Sequence, residues 1–114
     1  MKKLILYTTF LFSLSVSRLF AGGIYVESYK SSADVKVYVV DYKSDADLLV
    51  YVAKYRSEAD GKDEIWHYEQ YRSQADATVY FVKYKSEADL KIYIVDYKSE
   101  AGWKTSNKFV GRLK

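Results

Sequence analysis

The block Tyr-(Lys/Arg)-Ser-x-Ala-Asp, which opens at Tyr29, Tyr42, Tyr55, Tyr71, Tyr84 and Tyr97, constrains this chain more than any other feature. Successive blocks start 13, 13, 16, 13 and 13 residues apart, so one short unit repeats with a single three-residue insertion. Such a period has room for one strand and one corner per unit. Between the blocks lie Val37-Tyr38-Val39-Val40, Val50-Tyr51-Val52-Ala53, Val79-Tyr80-Phe81-Val82 and Ile92-Tyr93-Ile94-Val95, with a partial copy, Ile24-Tyr25-Val26, ahead of the first block. These residues are β-branched or aromatic, which fit a pleated surface and crowd a helix, so each run predicts a strand. Apolar residues on both faces further predict a strand covered on both sides.

The segment Ser-x-x-Asp ahead of an apolar run also matches a helix capping box. The helix loses on length, since at most one turn fits before strand chemistry resumes. The segment therefore predicts a corner, in which serine and aspartate bond backbone groups and alanine lets neighbouring corners stack. Two units depart from the pattern. In the third, Gly61-Lys62-Asp63-Glu64 is expanded and Trp66 and Tyr68 take the places of Val37 and Val39. In the last, Gly102 replaces the aspartate and Thr105-Ser106-Asn107 replaces the apolar run, which predicts a weak final strand.

Residues 1–21 have the layout of a signal peptide: Lys2-Lys3, an apolar stretch from Leu4 to Val16, and a short segment ending in Ala21. A spanning helix needs roughly 20 predominantly apolar residues, so this stretch predicts removal and no membrane span thereafter. The remaining domain, residues 22–114, is then secreted or periplasmic. Removal takes away Lys2, Lys3 and Arg18 and no acid, which turns a net charge of +3 into a neutral chain. Neutrality excludes a nucleic-acid partner, which requires a basic footprint. The absence of cysteine excludes disulfides, thiolate metal sites and a thiol nucleophile.

The repeated Tyr-Lys-Ser-Glu-Ala-Asp blocks, each followed by a Val-Tyr-Val-Val-like strand, resemble those of the bacterial septoil-knot domains. The resemblance covers roughly residues 22–109. It implies an all-β, single small domain of about six strand-plus-corner repeats, wound as a 7(1) torus knot. It implies no particular activity, and no functional residue is carried over from it.

The remaining chemistry points away from catalysis. His67 is the only histidine, which leaves no histidine-based triad or multi-histidine metal site. Asp34, Asp47, Asp60, Asp76 and Asp89 recur at one place in the unit, but no local loop clusters acids with glycine as calcium loops do. Ser31, Ser44, Ser57, Ser73, Ser86 and Ser99 are likewise repeated, without a base to activate any of them. No enzyme activity, cofactor or metal is therefore expected. The tyrosines form two sets, one opening the blocks and one within the strands. Core packing is the favoured role for both, because a small cysteine-free domain needs buried rings, whereas a set facing outward would form a binding surface. The sequence thus predicts an exported binding or interaction module for a protein or glycan partner. The irregular third unit, through Lys62, Trp66, His67 and Glu69, is the candidate contact. The alternative is a passive, protease-resistant structural protein without a specific ligand.

Overall fold

The computed structural model describes residues 22–111 and Leu113; the expected signal peptide lies outside the described residues. The strands are β1 (Gly23–Val26), β2 (Val35–Val39), β3 (Leu48–Val52), β4 (Ile65–Tyr68), β5 (Ala77–Phe81), β6 (Leu90–Val95) and the two-residue β7 (Gly102–Trp103). Each Lys/Arg-Ser-x segment forms a single 3-10 turn, as the spacing requires. The weak last strand is β7, which alone runs antiparallel, against β3.

The sheet order is β4-β1-β5-β2-β6-β3-β7, and β3 also pairs with β4, so six parallel strands close on themselves. Consecutive strands are never sheet neighbours within a circuit. The chain lays down β1, β2 and β3 once around the axis, and on a second circuit β5 enters between β1 and β2 and β6 between β2 and β3. Each connection must cross the strand it skips. The turn between β5 and β6 packs on β2, the turn between β4 and β5 packs on β1, and the turn after β6 packs on β3. The strands thus have a barrel interior on one side and crossing turns on the other. That second cover is partial: Tyr25, Tyr38, Tyr51, Tyr80 and Tyr93 are only half-buried beneath it.

The register generates the core. Val79 pairs with Val26 on one side and Val35 on the other, and Val37 pairs with Phe81 and Leu90, so pairing moves along the strand by two residues at each neighbour. Equivalent places in the units therefore meet at one level of the barrel. The central level consists of Ile24, Val79, Val37, Ile92, Val50 and Trp66, and every one is 0% exposed. The level below it, at the amino-terminal ends of the strands, contains Ala77, Val35, Leu90 and Leu48, also buried. The level above, at the carboxy-terminal ends, contains Val26, Phe81, Val39, Ile94, Val52 and Tyr68. This upper ring is partly open to solvent, with Val26 at 42%, Val39 at 44% and Tyr68 at 40% exposure.

The expectation of a tyrosine core is overturned. The core is aliphatic apart from Trp66 and Phe109, and the block-opening tyrosines are 59–74% exposed. The reason lies in the topology: a barrel this narrow has room inside for one branched side chain per strand and level, and its closure leaves no unpaired edge that buried rings would have to cover.

Aspartate closes the corners across the barrel rather than within its own unit. The Asp34 N–H donates to the Thr78 carbonyl (3.0 Å) and the Thr78 N–H donates to Asp34 Oδ2 (3.1 Å). Asp47 makes the same reciprocal pair with Lys91, Asp76 with Gly23, and Asp89 with Lys36. Each carboxylate thereby acts as one more carbonyl at a strand start and satisfies an N–H that would otherwise leave the ladder. The repeated serines are exposed, and the aspartate carboxylates make these bonds, joined at one corner by Thr78 Oγ1, which accepts from the Asp34 N–H at 3.0 Å. Asp60 departs from the rule: the insertion displaces it, and its buried Oδ1 has no hydrogen-bond partner.

Candidate functional site

The four residues singled out by the sequence lie at or beside β4, and the structure gives them different tasks. Trp66 fills the central level of the barrel with no exposed surface, and its Nε1–H donates to the Asp63 carbonyl at 2.7 Å. Its indole therefore packs and has no face to offer a partner. His67 points outward, at the level of the half-buried strand tyrosines. Its Nδ1 is 2.7 Å from Glu69 Oε2, and the Glu69 side chain is 5% exposed. Glu69 Oε1 also lies 3.6 Å from Arg56 Nη1, so this carboxylate links β4 to the preceding turn. Lys62 is exposed on the inserted loop. Of the four, Lys62 and His67 present surface, and Trp66 and Glu69 hold the fold.

Sequence reasoning missed Asp63, the principal polar residue of the insertion. It is 6% exposed and accepts three hydrogen bonds from the carboxy-terminal segment. Trp103 Nε1–H (2.9 Å) and the Gly111 N–H donate to its Oδ2, and the Leu113 N–H donates to Oδ1 at 3.0 Å. These bonds hold Phe109 and Leu113 in the core cluster with Val35, Ala77, Leu90 and Leu48. The tail therefore closes the amino-terminal mouth of the barrel, and the insertion supplies its anchor. The legible signal was the apolar residues Phe109, Val110 and Leu113 in an otherwise polar tail.

Around the outside runs a belt of cations and acids. Lys30 pairs with Glu87, Lys43 Nζ with Glu100 Oε1 (2.8 Å) and Lys98 Nζ with Glu58 Oε1 (3.0 Å), while Arg56 Nη2–H donates to the Gln74 carbonyl (3.1 Å). Each contact joins one crossing turn to another. The hydrogen bonds that Lys30 and Lys43 donate to Glu87 and Glu100 raise the two lysines above the ordinary lysine range, and the bond that Glu58 accepts from Lys98 lowers Glu58. These pairs are exposed or partly so, and salt screens them. Arg72 makes a two-point pair with the buried Glu27 (2.8 and 2.6 Å) and lies 5.7 Å from the centre of the Tyr25 ring. Burial raises the Asp76 carboxyl above its usual range despite its backbone bond to Gly23.

The exposed feature that recurs in every unit is the block-opening tyrosine with its following cation: Tyr29-Lys30, Tyr42-Lys43, Tyr55-Arg56, Tyr71-Arg72, Tyr84-Lys85 and Tyr97-Lys98. Each tyrosine follows its upper-ring residue by three positions, as Tyr29 follows Val26 and Tyr84 follows Phe81. Flat amphipathic rings beside cations suit recognition of extended partners. Among the described residues no cluster of three or more histidines and acids could hold a metal ion, and no helix is long and apolar enough to cross a membrane.

The sequence profile of a family described as the 7(1) septoil knot domain matches residues 22–104, which is most of the chain. No curated protein and no solved structure matches it.

Proposed function

The chain belongs to the 7(1) septoil knot domain family, and because that membership specifies a fold and no activity, we propose from its surface that it is an exported binding module. The observation that carries this reading is the outward tyrosine row, 59–74% exposed in a chain that needs buried area to fold. Large rings left in solvent six times over are retained for contact, since tyrosine supplies contact area and a hydroxyl at low entropic cost. The partner is a protein or glycan long enough to meet several units. Replacing Tyr29, Tyr42 and Tyr84 with serine removes rings that lie outside the core, so the melting temperature should stay within about 3 °C of wild type, as expected for surface substitutions. Retention of a partner from a detergent-solubilised envelope extract should fall several-fold. Unchanged retention, or a wild-type chain that retains nothing, rejects the module and leaves the passive structural role, which the closure of the six parallel strands favours.

Export is part of the proposal and rests on residues 1–21. The exported form should begin near Gly22, as read by intact mass. A Cβ at Gly22 would overlap the Ala59 carbonyl, so the backbone packs there only as glycine. Finding only full-length chain in the cytoplasm rejects export.

A further inference from the structure

The two mouths of the barrel are unlike. The amino-terminal mouth is closed by Phe109 and Leu113, whereas among the described residues none covers the upper ring at the carboxy-terminal mouth in that way, and Val26, Val39, Ile94 and Tyr68 are exposed there. Around that ring the order follows the sheet: Tyr68, Val26, Phe81, Val39, Ile94, Val52. The two aromatic residues therefore flank Val26, on the β4-β1-β5 side.

The charges of the rim sort to the same side. Two residues beyond each ring position stand, in the same circular order, Gln70, Ser28, Lys83, Asp41, Asp96 and Lys54, all exposed. The two acids are neighbours above β2 and β6, and the β4-β1-β5 side carries an amide, a hydroxyl and an ammonium. One position further come the exposed tyrosines, and then the cations. An apolar and aromatic tip, a tyrosine collar and a row of Lys and Arg thus follow one another along the chain, within about 10 Å per three residues. A bilayer presents the complementary order: acyl chains, an interfacial zone favoured by aromatic rings, and phosphates.

We propose that the β4-β1-β5 side of the open mouth, with Val26, Tyr68 and Phe81 at its tip, docks on the surface of an anionic lipid bilayer. The acids Asp41 and Asp96 set the tilt by keeping the opposite side of the rim away from the headgroups, while Lys83 faces them, and Lys30 and Arg72 stand beside it with their charges shared with Glu87 and Glu27. This rests on the binding-module reading for its tyrosine collar and adds a lipid surface as the docking partner.

The test is sedimentation of the exported chain with protein-free vesicles of phosphatidylcholine, with and without 30% phosphatidylglycerol as the chosen probe composition (~30%). The wild type should sediment with the anionic vesicles and be released by salt. Val26→Asp and Tyr68→Asp should each lower the bound fraction at least several-fold. Val110→Asp, an equally exposed apolar site on the carboxy-terminal segment, should leave it unchanged. Circular dichroism checks that each variant is folded, and Val26→Ser serves as a second, uncharged tip variant if Val26→Asp does not fold. Failure of the wild type to bind, equal binding by the tip variants, or a wild-type dimer without vesicles that Val26→Asp dissolves would each overturn the proposal. The vesicles contain no protein and the extract above contains no bilayer, so a negative result here leaves the tyrosine-row reading to stand or fall on its own experiment.

Discussion

Asp63→Ala should be among the most damaging single substitutions in this protein, although the residue lies in an inserted loop. The change leaves the Trp103 Nε1–H and the backbone N–H groups of Gly111 and Leu113 without their shared acceptor in a buried setting. Bonds to a charged acceptor are worth about 1.5–3 kcal/mol each, but the tail can detach and recover water, which caps the loss at about 3 kcal/mol. For a domain of this size that lowers Tm by roughly 10–20 °C. Asp63→Asn should cost less, because its oxygen can keep the bonds from Trp103 Nε1–H and the Gly111 N–H while its NH2 group faces the Leu113 N–H. The distinguishing readout is local: carboxypeptidase should trim the variant back toward Trp103 while sparing the wild type, as Phe109 and Leu113 leave the core. A variant that melts within 2 °C of wild type (~2 °C), with an intact tail, would show that the anchor is dispensable.

The second large effect is kinetic. Refolding of the exported chain from guanidinium should take seconds or longer, against the milliseconds open to small domains rich in local contacts. The pairs that close the corners join residues 44 or 53 positions apart, and apart from β3 with β4 the strand pairings are comparably distant. Loop closure must therefore precede nearly all the stabilising contacts. The second circuit must also insert β5 and β6 into gaps between strands already laid down, and the near-identical units invite pairing one unit out of register. Trp66 and the insertion oppose such slips, because only one level of one strand accommodates the indole. Single-phase refolding in milliseconds would contradict the double winding.

Asp34 illustrates where the sequence stops informing. A small polar acid before a β-branched run identifies a corner on local grounds, since its short side chain bonds backbone that leaves regular structure. That its partner is Thr78, on a strand laid down one circuit later, depends on which strands become neighbours. The same division holds for the tyrosines. Their place in the repeat shows that each set occupies equivalent environments, because equivalent residues in a closed barrel share one level. Inside or outside is another matter: a run such as Val37-Tyr38-Val39-Val40 is apolar at every position, so alternation does not mark its inner face.

In the third unit, Trp66 and Tyr68 differ by residue type from their counterparts, which marks the unit as unlike the others. Its role was decided by the tail, which brings Phe109, Gly111 and Leu113 against Asp63 from about fifty positions away. The sequence by itself determined the strand, the corner, the unit count and the weak final strand, because these follow from side-chain sterics and spacing over a dozen residues. Only the tertiary structure decided the interleaved order, the aliphatic core, the outward tyrosines and the unlike mouths. Those depend on parallel pairing between distant units, and a periodic sequence offers every unit nearly the same partners.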